Sequence, residues 1–418
     1  MCLFAAITRR MNQTLKNSLR IVLFTAALAA LPSAASAAFP GENGKIAMGC
    51  STLRVAICVT EPGSHVTTVL TDSKGEYMPS FSANGRRIVF QRQVGPPPDT
   101  HGQIFVMRAN GTQVERLTHT GPRVSDSDPS FTPDGSQIAF ERGRGQGRIM
   151  IMAADGSSVE QIGEGDGPVV SPSGERVAFT RRGDDPFSEL HTMAIDGSDV
   201  DPVADPGDTW SGQDPGWSPD GEEIVFTYFD RPTSGQGIFS VSASGGDPER
   251  ISQLPEEGER ATEPTFSPDG TRVAFVADDC ADVEECEMSL YVSALDGSDL
   301  TRLGTADPGA YPDWGVRTPG RPPLSGRCND KRATIVGTNH DDSIFGTPSR
   351  DIITARRGSD LIQGLEGNDV LCGGQGRDRI EAGPGRDLIE GGPGRDRCKG
   401  GRGRDRMRGC EPGPLNPL

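Results

Sequence analysis

Eight aspartates recur at nine-residue intervals, without insertion, between Gly337 and Arg408: Asp342, Asp351, Asp360, Asp369, Asp378, Asp387, Asp396 and Asp405. In the last six units a glycine stands two residues before the aspartate, at Gly358, Gly367, Gly376, Gly385, Gly394 and Gly403. An apolar or near-apolar residue follows each aspartate by two: Ile344, Ile353, Ile362, Leu371, Ile380, Ile389, Cys398 and Met407. Carboxylates repeated at fixed spacing on glycine-rich turns suit a hard, oxygen-seeking cation.

No second chemistry of comparable clarity is present. The chain has no Gly-x-Ser-x-Gly elbow, no His-Glu-x-x-His and no phosphate-cradling loop before a helix. His65, His101, His119 and His191 are scattered over expected loops and strands, where solvated or hydrogen-bonded roles are expected rather than catalysis. Acidic pairs such as Asp184-Asp185, Asp278-Asp279 and Glu284-Glu285 read as solvated loop charge.

The elements that position these residues fall into two arrays. Upstream of the nonads a longer unit appears five times. Pro79-Ser80-Phe81-Ser82-Ala83-Asn84-Gly85 leads to Ile88-Val89-Phe90, and Pro129-Ser130-Phe131-Thr132-Pro133-Asp134-Gly135 leads to Ile138-Ala139-Phe140. Later copies carry Ser173-Gly174, Asp220-Gly221 and Asp269-Gly270 before Val177-Ala178-Phe179, Ile224-Val225-Phe226 and Val273-Ala274-Phe275. In Ser-Pro-Asp-Gly, proline has the φ of the second position of a type I turn, and glycine tolerates the positive φ of the fourth. A hairpin follows. The next strand of each unit ends at Asn110-Gly111, Asp155-Gly156, Asp196-Gly197, Gly245-Gly246 or Asp296-Gly297, a further hairpin signal. Four short strands per 40 to 50 residues is the size of a propeller blade. Asn43 to Met48 reads as the middle of a blade lacking its first strand, and Tyr311 to Gly315 as a first strand lacking the rest. Joined, they would complete a sixth blade and hide the edges of an open array.

Residues 39–315 thereby resemble TolB-type propeller repeats, marked by Pro-x-Phe/Trp-Ser-Pro-Asp-Gly-x-x-Ile/Val-Ala-Phe. The third copy departs, with Val170 for the aromatic and Ser173 for the aspartate; the first has Ala83-Asn84 for Pro-Asp. Asparagine is also at home in turns, so the expected fold is unchanged.

The nonads resemble RTX calcium-binding repeats, Gly-Gly-x-Gly-x-Asp-x-apolar-x, most closely from Gly364, Gly373, Gly391 and Gly400 onward. The resemblance implies a parallel β-helix, or β-roll, in which two units make one coil. Aspartates eighteen apart then stack, Asp360 with Asp378 and Asp396, and Asp369 with Asp387 and Asp405. Calcium between stacked carboxylates turns repulsion into coordination, and folding and binding become one event. His340 and Ser349 replace the fourth-position glycine in the first two units, which marks Asp342 and Asp351 as weaker sites or a cap. Arg377, Arg386, Arg395 and Arg404 set a cation beside each later site. A glycine-rich coil held by disulfides without calcium is the competing reading.

Arg9, Arg10, Lys16 and Arg20 precede an apolar run from Ile21 to Leu31, and Ala35-Ser36-Ala37 offers a cleavage site. Residues 1–37 are therefore expected to be a signal peptide cut near Ala37, and the protein to be secreted or extracytoplasmic. No later run is long enough to predict a membrane span. The full chain has a formal charge of −17. Without residues 1–37, which hold four basic and no acidic residues, the charge is near −21, which disfavours nucleic acid as a partner. Residues 337–408 carry 13 Lys/Arg against 12 Asp/Glu, so the excess acid lies upstream.

Cys50, Cys58, Cys280, Cys286, Cys328, Cys372, Cys398 and Cys410 remain after the leader, an even number that favours disulfides in an exported chain. Spacing suggests Cys50 with Cys58, Cys280 with Cys286 and Cys398 with Cys410, leaving Cys328 with Cys372, among the 105 pairings that eight cysteines allow. A zinc site is the competing reading, disfavoured because no Cys-x-x-Cys is present.

The expected fold is all-β, a six-bladed β-propeller (39–315) joined by a Pro/Gly linker (316–327) to a C-terminal parallel β-helix or β-roll (328–411), with a tail at 412–418. The expected function is an exported calcium-binding scaffold that presents the propeller to an unidentified protein or glycan. The alternative is a propeller enzyme such as a calcium-dependent phosphatase or polysaccharide lyase, a choice that fold analogy alone does not make.

Overall fold

The computed structural model describes residues 41–411 except 52–54, 65, 73, 144–146, 183–187, 205–209, 231–234, 252–259, 280–286, 307–309 and 318–325. The expected signal peptide, the 412–418 tail, His65 and the Cys280–Cys286 pair lie outside these residues. The described residues contain strands and turns and no helix.

Five four-stranded antiparallel blades follow one another along the chain. The first is built from Glu76–Phe81, Arg87–Val94, His101–Arg108 and Glu115–Arg116, and the second opens with Ser125–Phe131. The remaining three open with Asp166–Val170, Trp210–Trp217 and Ala261–Phe266. In every blade the second strand carries the apolar triplet seen in the sequence. Phe90, Phe140, Phe179, Phe226 and Phe275 are all at most 1% exposed. A continuous apolar triplet, rather than an alternating one, is what a strand needs when both faces of its sheet are covered by neighbours. Truncating one of these rings to alanine costs about 3–5 kcal/mol.

The predicted turns form as the residue types demand. Gly135 has φ +68° and donates its N–H to the Thr132 carbonyl at 2.8 Å. Asp134 accepts from the Ser136 N–H at 3.0 Å and the Thr132 hydroxyl at 2.6 Å, and these bonds hold its carboxyl below the usual range.

The two ends of the blade array meet. Strand Asp313–Val316 pairs antiparallel with Asn43–Ser51, placing Trp314 opposite Ile46, and the sheet continues through Val55–Thr60 and Val66–Val69. Its two faces pack on different blades. Ile46, Met48, Cys58 and Trp314 share a core with Val276 and Leu290 of the fifth blade, while Ala47, Ile57 and Val59 share one with Phe81, Phe90 and Phe105 of the first. The Phe81 N–H donates to Asp313 Oδ2 at 2.6 Å, and Asn43 Nδ2 to Asp269 Oδ2 at 2.8 Å.

Residues 326–411 form a β-solenoid of about four coils, with two rows of parallel strands. One row runs Asp342–Phe345, Leu361–Gln363, Arg379–Glu381, Arg397–Lys399; the other runs Ile335–Val336, Ile352–Arg357, Val370–Gln375, Leu388–Glu390, Arg406–Arg408. In-register partners are eighteen residues apart, as in Ile362 with Ile380 and Leu371 with Ile389. The eighth-position side chains from Ile344 to Ile389 are fully buried between the rows. Met407, the last of these apolar positions, is 52% exposed, and among the described residues no further coil covers its rung.

Strand Asp313–Val316 ends at the first residue of the expected linker, and strand Arg327–Cys328 begins at its last. The two arrays are not merely tethered. Val66–Val69 pairs antiparallel with Asp342–Phe345, so one eight-stranded sheet runs from the propeller into the solenoid.

Candidate functional site

Six of the eight nonad aspartates reach back to the preceding coil along two ladders. The N–H of Asp342 donates to Asp360 Oδ1 at 2.8 Å, that of Asp360 to Asp378 Oδ1 at 3.0 Å, and that of Asp378 to Asp396 Oδ1 at 3.0 Å. The second ladder repeats this from Asp351 to Asp369 (2.9 Å), Asp387 (2.9 Å) and Asp405 (3.0 Å). One oxygen of each carboxylate is thus committed to the backbone.

The other oxygen is not. Among the described residues, Oδ2 of Asp360, Asp369, Asp378, Asp387 and Asp396 is buried without a hydrogen-bond partner. Five buried anionic oxygens without partners are costly unless something positive meets them. Desolvation drives the Asp360 carboxyl up to about 8, with Asp342, Asp378 and Asp341 adding to the rise, and the Asp369 and Asp378 carboxyls to about 6. The Asp387 and Asp342 carboxyls also shift upward, again mainly through desolvation.

Glycine clears the space these oxygens occupy. A Cβ at Gly364 would stand 2.8 Å from Asp369 Oδ2, and one at Gly391 2.9 Å from Asp396 Oδ2. At the fourth position of the unit, Gly376 has φ +148°, and a Cβ there would overlap the Gly358 carbonyl oxygen of the preceding coil. Gly367, Gly394 and Gly403 share that conformation, Gly358 has φ +130°, and Gly385 approaches the Gly367 carbonyl as closely.

The first two units differ. Asp342 and Asp351 accept from the N–H and hydroxyl of Thr338 and Thr347 respectively, so their carboxylates are already satisfied by their own turns. The sequence marks them as weaker through His340 and Ser349; the threonine at the second position is the stronger physical reason. At the other end Asp405 is only partly buried. No group of three or more His, Cys, Asp or Glu side chains converges as a metal cluster among the described residues, so the ladder would draw further oxygens from backbone. A divalent cation supplies the positive charge that the buried Oδ2 atoms lack, and the ladder residues fit that role.

Cys328–Cys372 ties the start of the solenoid to an interior strand, Cys398–Cys410 joins the last two rungs, and Cys50–Cys58 bridges neighbouring strands of the closing sheet. These are three of the four pairings expected from spacing.

A second concavity lies on the propeller axis, a cavity of about 150 Å³. The first strand of each of the five blades bulges at the proline of its motif, and the residue before that proline is left-handed, as is Tyr311 before Pro312: Met78, Asp128, Gly167, Asp214, Glu263 and Tyr311 have φ between 45° and 60°. Residues before proline ordinarily avoid helical conformations for the extended region, so packing around the cavity must hold this repeated exception. The bulges bring Asp128, Asp214 and Glu263 to one lining. Desolvation raises the Asp128 carboxyl to about 7 and the Asp214 carboxyl to about 6, and raises the Glu141 carboxyl to about 8 with help from Asp128 and Asp166. Sequence reading began the motif at the proline and missed these residues; an acid directly before it, at Asp128, Asp214 and Glu263, was the available signal.

Of the histidines, His101 is buried with Nδ1 2.9 Å from the Asp99 carbonyl and Nε2 3.2 Å from the Thr120 carbonyl. His191 stacks on Phe179 beside Glu189, and His119 is exposed.

Fold and ladder together define a β-propeller continued into a calcium-binding type of β-solenoid. Comparison with known families agrees: residues 97–246 match the TolB beta propeller domain, and residues 336–371 and 373–407 match the RTX calcium-binding nonapeptide repeat. The chain therefore carries a TolB-type propeller domain and RTX repeats, and such repeats bind calcium. An uncharacterized protein of Agrobacterium fabrum is 34% identical over 142 residues, 30% of this chain and 47% of that protein. The Tol-Pal system protein TolB of Francisella tularensis is 27% identical over 248 residues, 56% of this chain and 53% of that protein. The chain thus spans about half the length of the curated relatives it matches. The crystal structure of TolB from Acinetobacter baumannii superposes with a TM-score of 0.54 at 18% identity, covering 67% of this chain and 68% of that one, a likeness of fold.

Proposed function

We propose that this chain is an extracytoplasmic, non-enzymatic interaction scaffold whose RTX solenoid is locked by calcium. The observation that carries the reading is the set of five buried, partnerless Oδ2 atoms in two stacks. In this reading Asp360, Asp369, Asp378, Asp387 and Asp396 are the principal ligands, Asp342, Asp351 and Asp405 are end positions, and Gly358, Gly367, Gly376, Gly385, Gly394 and Gly403 admit the close approach of successive coils. Thermal and circular-dichroism titration of the full chain tests it. The expected result is a large calcium-dependent gain in stability; a signal unchanged between chelator and millimolar calcium would sink the metal assignment.

In the same reading, the sheet closed by Asp313–Val316 and Asn43–Ser51 acts as a sixth blade of a propeller spanning residues 39–315. The solenoid spans 328–411 after a linker at 316–327, and residues 1–37 act as a cleavable export signal. Packing of the closing sheet against both the first and fifth blades supports closure, and the three disulfides support an oxidising compartment.

The propeller's axial cavity is the recognition surface in this proposal, and its acids select a cationic side chain from a protein partner. The likeness to proteins named for the Tol-Pal system supports a protein as that partner. Asp128 and Asp214 titrate near neutrality, so an entering cation would discharge protons from them. Calorimetry of basic peptides in buffers of different ionisation enthalpy reads that release. Binding that is indifferent to Asp128→Asn combined with Asp214→Asn would remove the cavity from consideration.

A further inference from the structure

The last four nonads carry charge that neither calcium binding nor propeller recognition uses. From Arg377 to Arg408 there are ten Lys/Arg against six Asp/Glu, and four of those six are ladder aspartates turned inward. In a chain of net charge −17 this is a segregated basic end. Its cations face solvent: Arg397, Lys399, Arg406 and Arg408 on the terminal strands are exposed, as are Arg377, Arg386, Arg395 and Arg404 at the turns. Among the described residues, Arg395 pairs with Glu411 and Arg379 with Glu381, and no ion pair engages Arg397, Arg404, Arg406 or Arg408.

Cations on a terminal rung have an ordinary purpose, since charged edge strands resist pairing with another molecule. That explains Arg397 and Arg406, whose strands end the two rows. It does not explain the turn cations, which begin on rungs that later coils already cover. Arg377 lies one coil before Arg395 and Arg386 one coil before Arg404, beside the parallel bridges Gly376 with Gly394 and Gly385 with Gly403. Earlier units use the same position differently: Asp341 Oδ1 accepts the Ser359 N–H at 2.7 Å, and Asn368 Oδ1 accepts the Arg386 N–H at 3.0 Å. Stacked like charges at the roughly 4.8 Å spacing of adjacent strands repel unless an anion joins them.

We infer that the C-terminal end of the solenoid is a docking surface for an extended acidic polysaccharide. The cations recur rung by rung along an axis, which matches a linear polymer with anions at regular intervals. Residues 377–411 contain no Phe, Tyr or Trp on which nucleic-acid bases would stack, and Met407 is the one large apolar side chain exposed there, too little to enter a membrane.

The test uses the full chain in millimolar calcium on immobilised heparin, with unsulfated dextran and single-stranded DNA as comparison matrices. A protein of pI ≈ 4.8 is expected to be retained on heparin at low salt, to elute by about 0.5 M salt, and to be displaced by soluble heparin. Combined Arg377→Gln, Arg386→Gln, Arg395→Gln and Arg404→Gln substitution is expected to weaken binding about tenfold. The corresponding Arg→Lys exchanges, keeping charge, are expected to preserve it. Failure of the unmodified chain to bind heparin, or undiminished binding by the folded glutamine variant, overturns the inference. Equal retention on DNA overturns the assignment to a polysaccharide.

Discussion

Thr68 of the propeller's outermost closing strand lies opposite Asp342 of the solenoid's first rung, and its side chain partly offsets the rise that burial imposes on the Asp342 carboxyl. Asp342 also heads the ladder through Asp360, Asp378 and Asp396, donating its N–H to the first of them, so the residue that starts the calcium-type stack sits on the strand that pairs with the propeller. Beside it Val66, 9% exposed, packs into the solenoid core with Ile335, Ile344 and Ile353.

This junction predicts one cooperative unit. Val66→Asp would bury a charge without a partner where the two arrays meet, costing on the order of 2–4 kcal/mol. Differential scanning calorimetry in calcium is expected to show a single transition for the parent and two for the variant, the lower belonging to the solenoid. A single transition in both would mean that the shared sheet does not couple them.

Position along the ladder predicts unequal sensitivity to charge removal. Asp378 Oδ2 has no partner, whereas Asp351 is satisfied by Thr347. Asp378→Asn keeps an oxygen for the Asp360 N–H and deletes the charge, so the calcium-induced rise in Tm is expected to shrink by several degrees. Asp351→Asn is expected to leave most of that rise intact. Equal loss in the two variants, read by circular dichroism over a calcium series, would contradict the distinction.

Asp313 predicts a pH dependence in the propeller. Desolvation lifts its carboxyl to about 7, partly opposed by the Phe81 N–H. Because the folded value lies above the unfolded one, the group's contribution to stability is full below about pH 4 and is lost as pH rises through 7. Asp313→Asn removes that titration while keeping an acceptor for Phe81. The variant is expected to match the parent near pH 4 and to exceed it at pH 8 by a few kcal/mol, on the order of 1.4 kcal/mol per pH unit between the two pKa values, in urea melts. Glu141 and Asp128 titrate in the same direction, so some slope is expected to remain.

How much of this was legible in the sequence follows from which forces are local. The nonad period fixes the ladder, because a two-unit coil places residues eighteen apart in register whatever else the chain does, and the burial of Ile362 over Ile380 needs nothing further. The blade turns were legible for the same reason, since Asp134 and Gly135 determine their own geometry. The junction was not: Asp342-Ser343-Ile344 carries no mark that its partner is Val66 to Thr68, far back along the chain in no repeat register. The left-handed residues before proline were hidden too, because local sterics argue against that conformation and only packing around the cavity holds it. Met407 reads as core by pattern and is exposed by position, on a rung that no further coil covers among the described residues.

The C-terminal staple predicts where the solenoid opens first. Cys398 and Cys410 are twelve residues apart, and their bond returns the chain so that Glu411 bridges to Arg397. Without it the last rung keeps little to hold it, for Met407 is exposed and Asp405 only partly buried. Replacing both cysteines by serine is expected to cost about 2–3 kcal/mol. Amide exchange is expected to rise at Arg406–Arg408 while the interior strand Val370–Gln375, tied by Cys328–Cys372, stays protected. Uniform loss of protection along the solenoid would instead mean that its coils unfold together and that the staple guards the whole array.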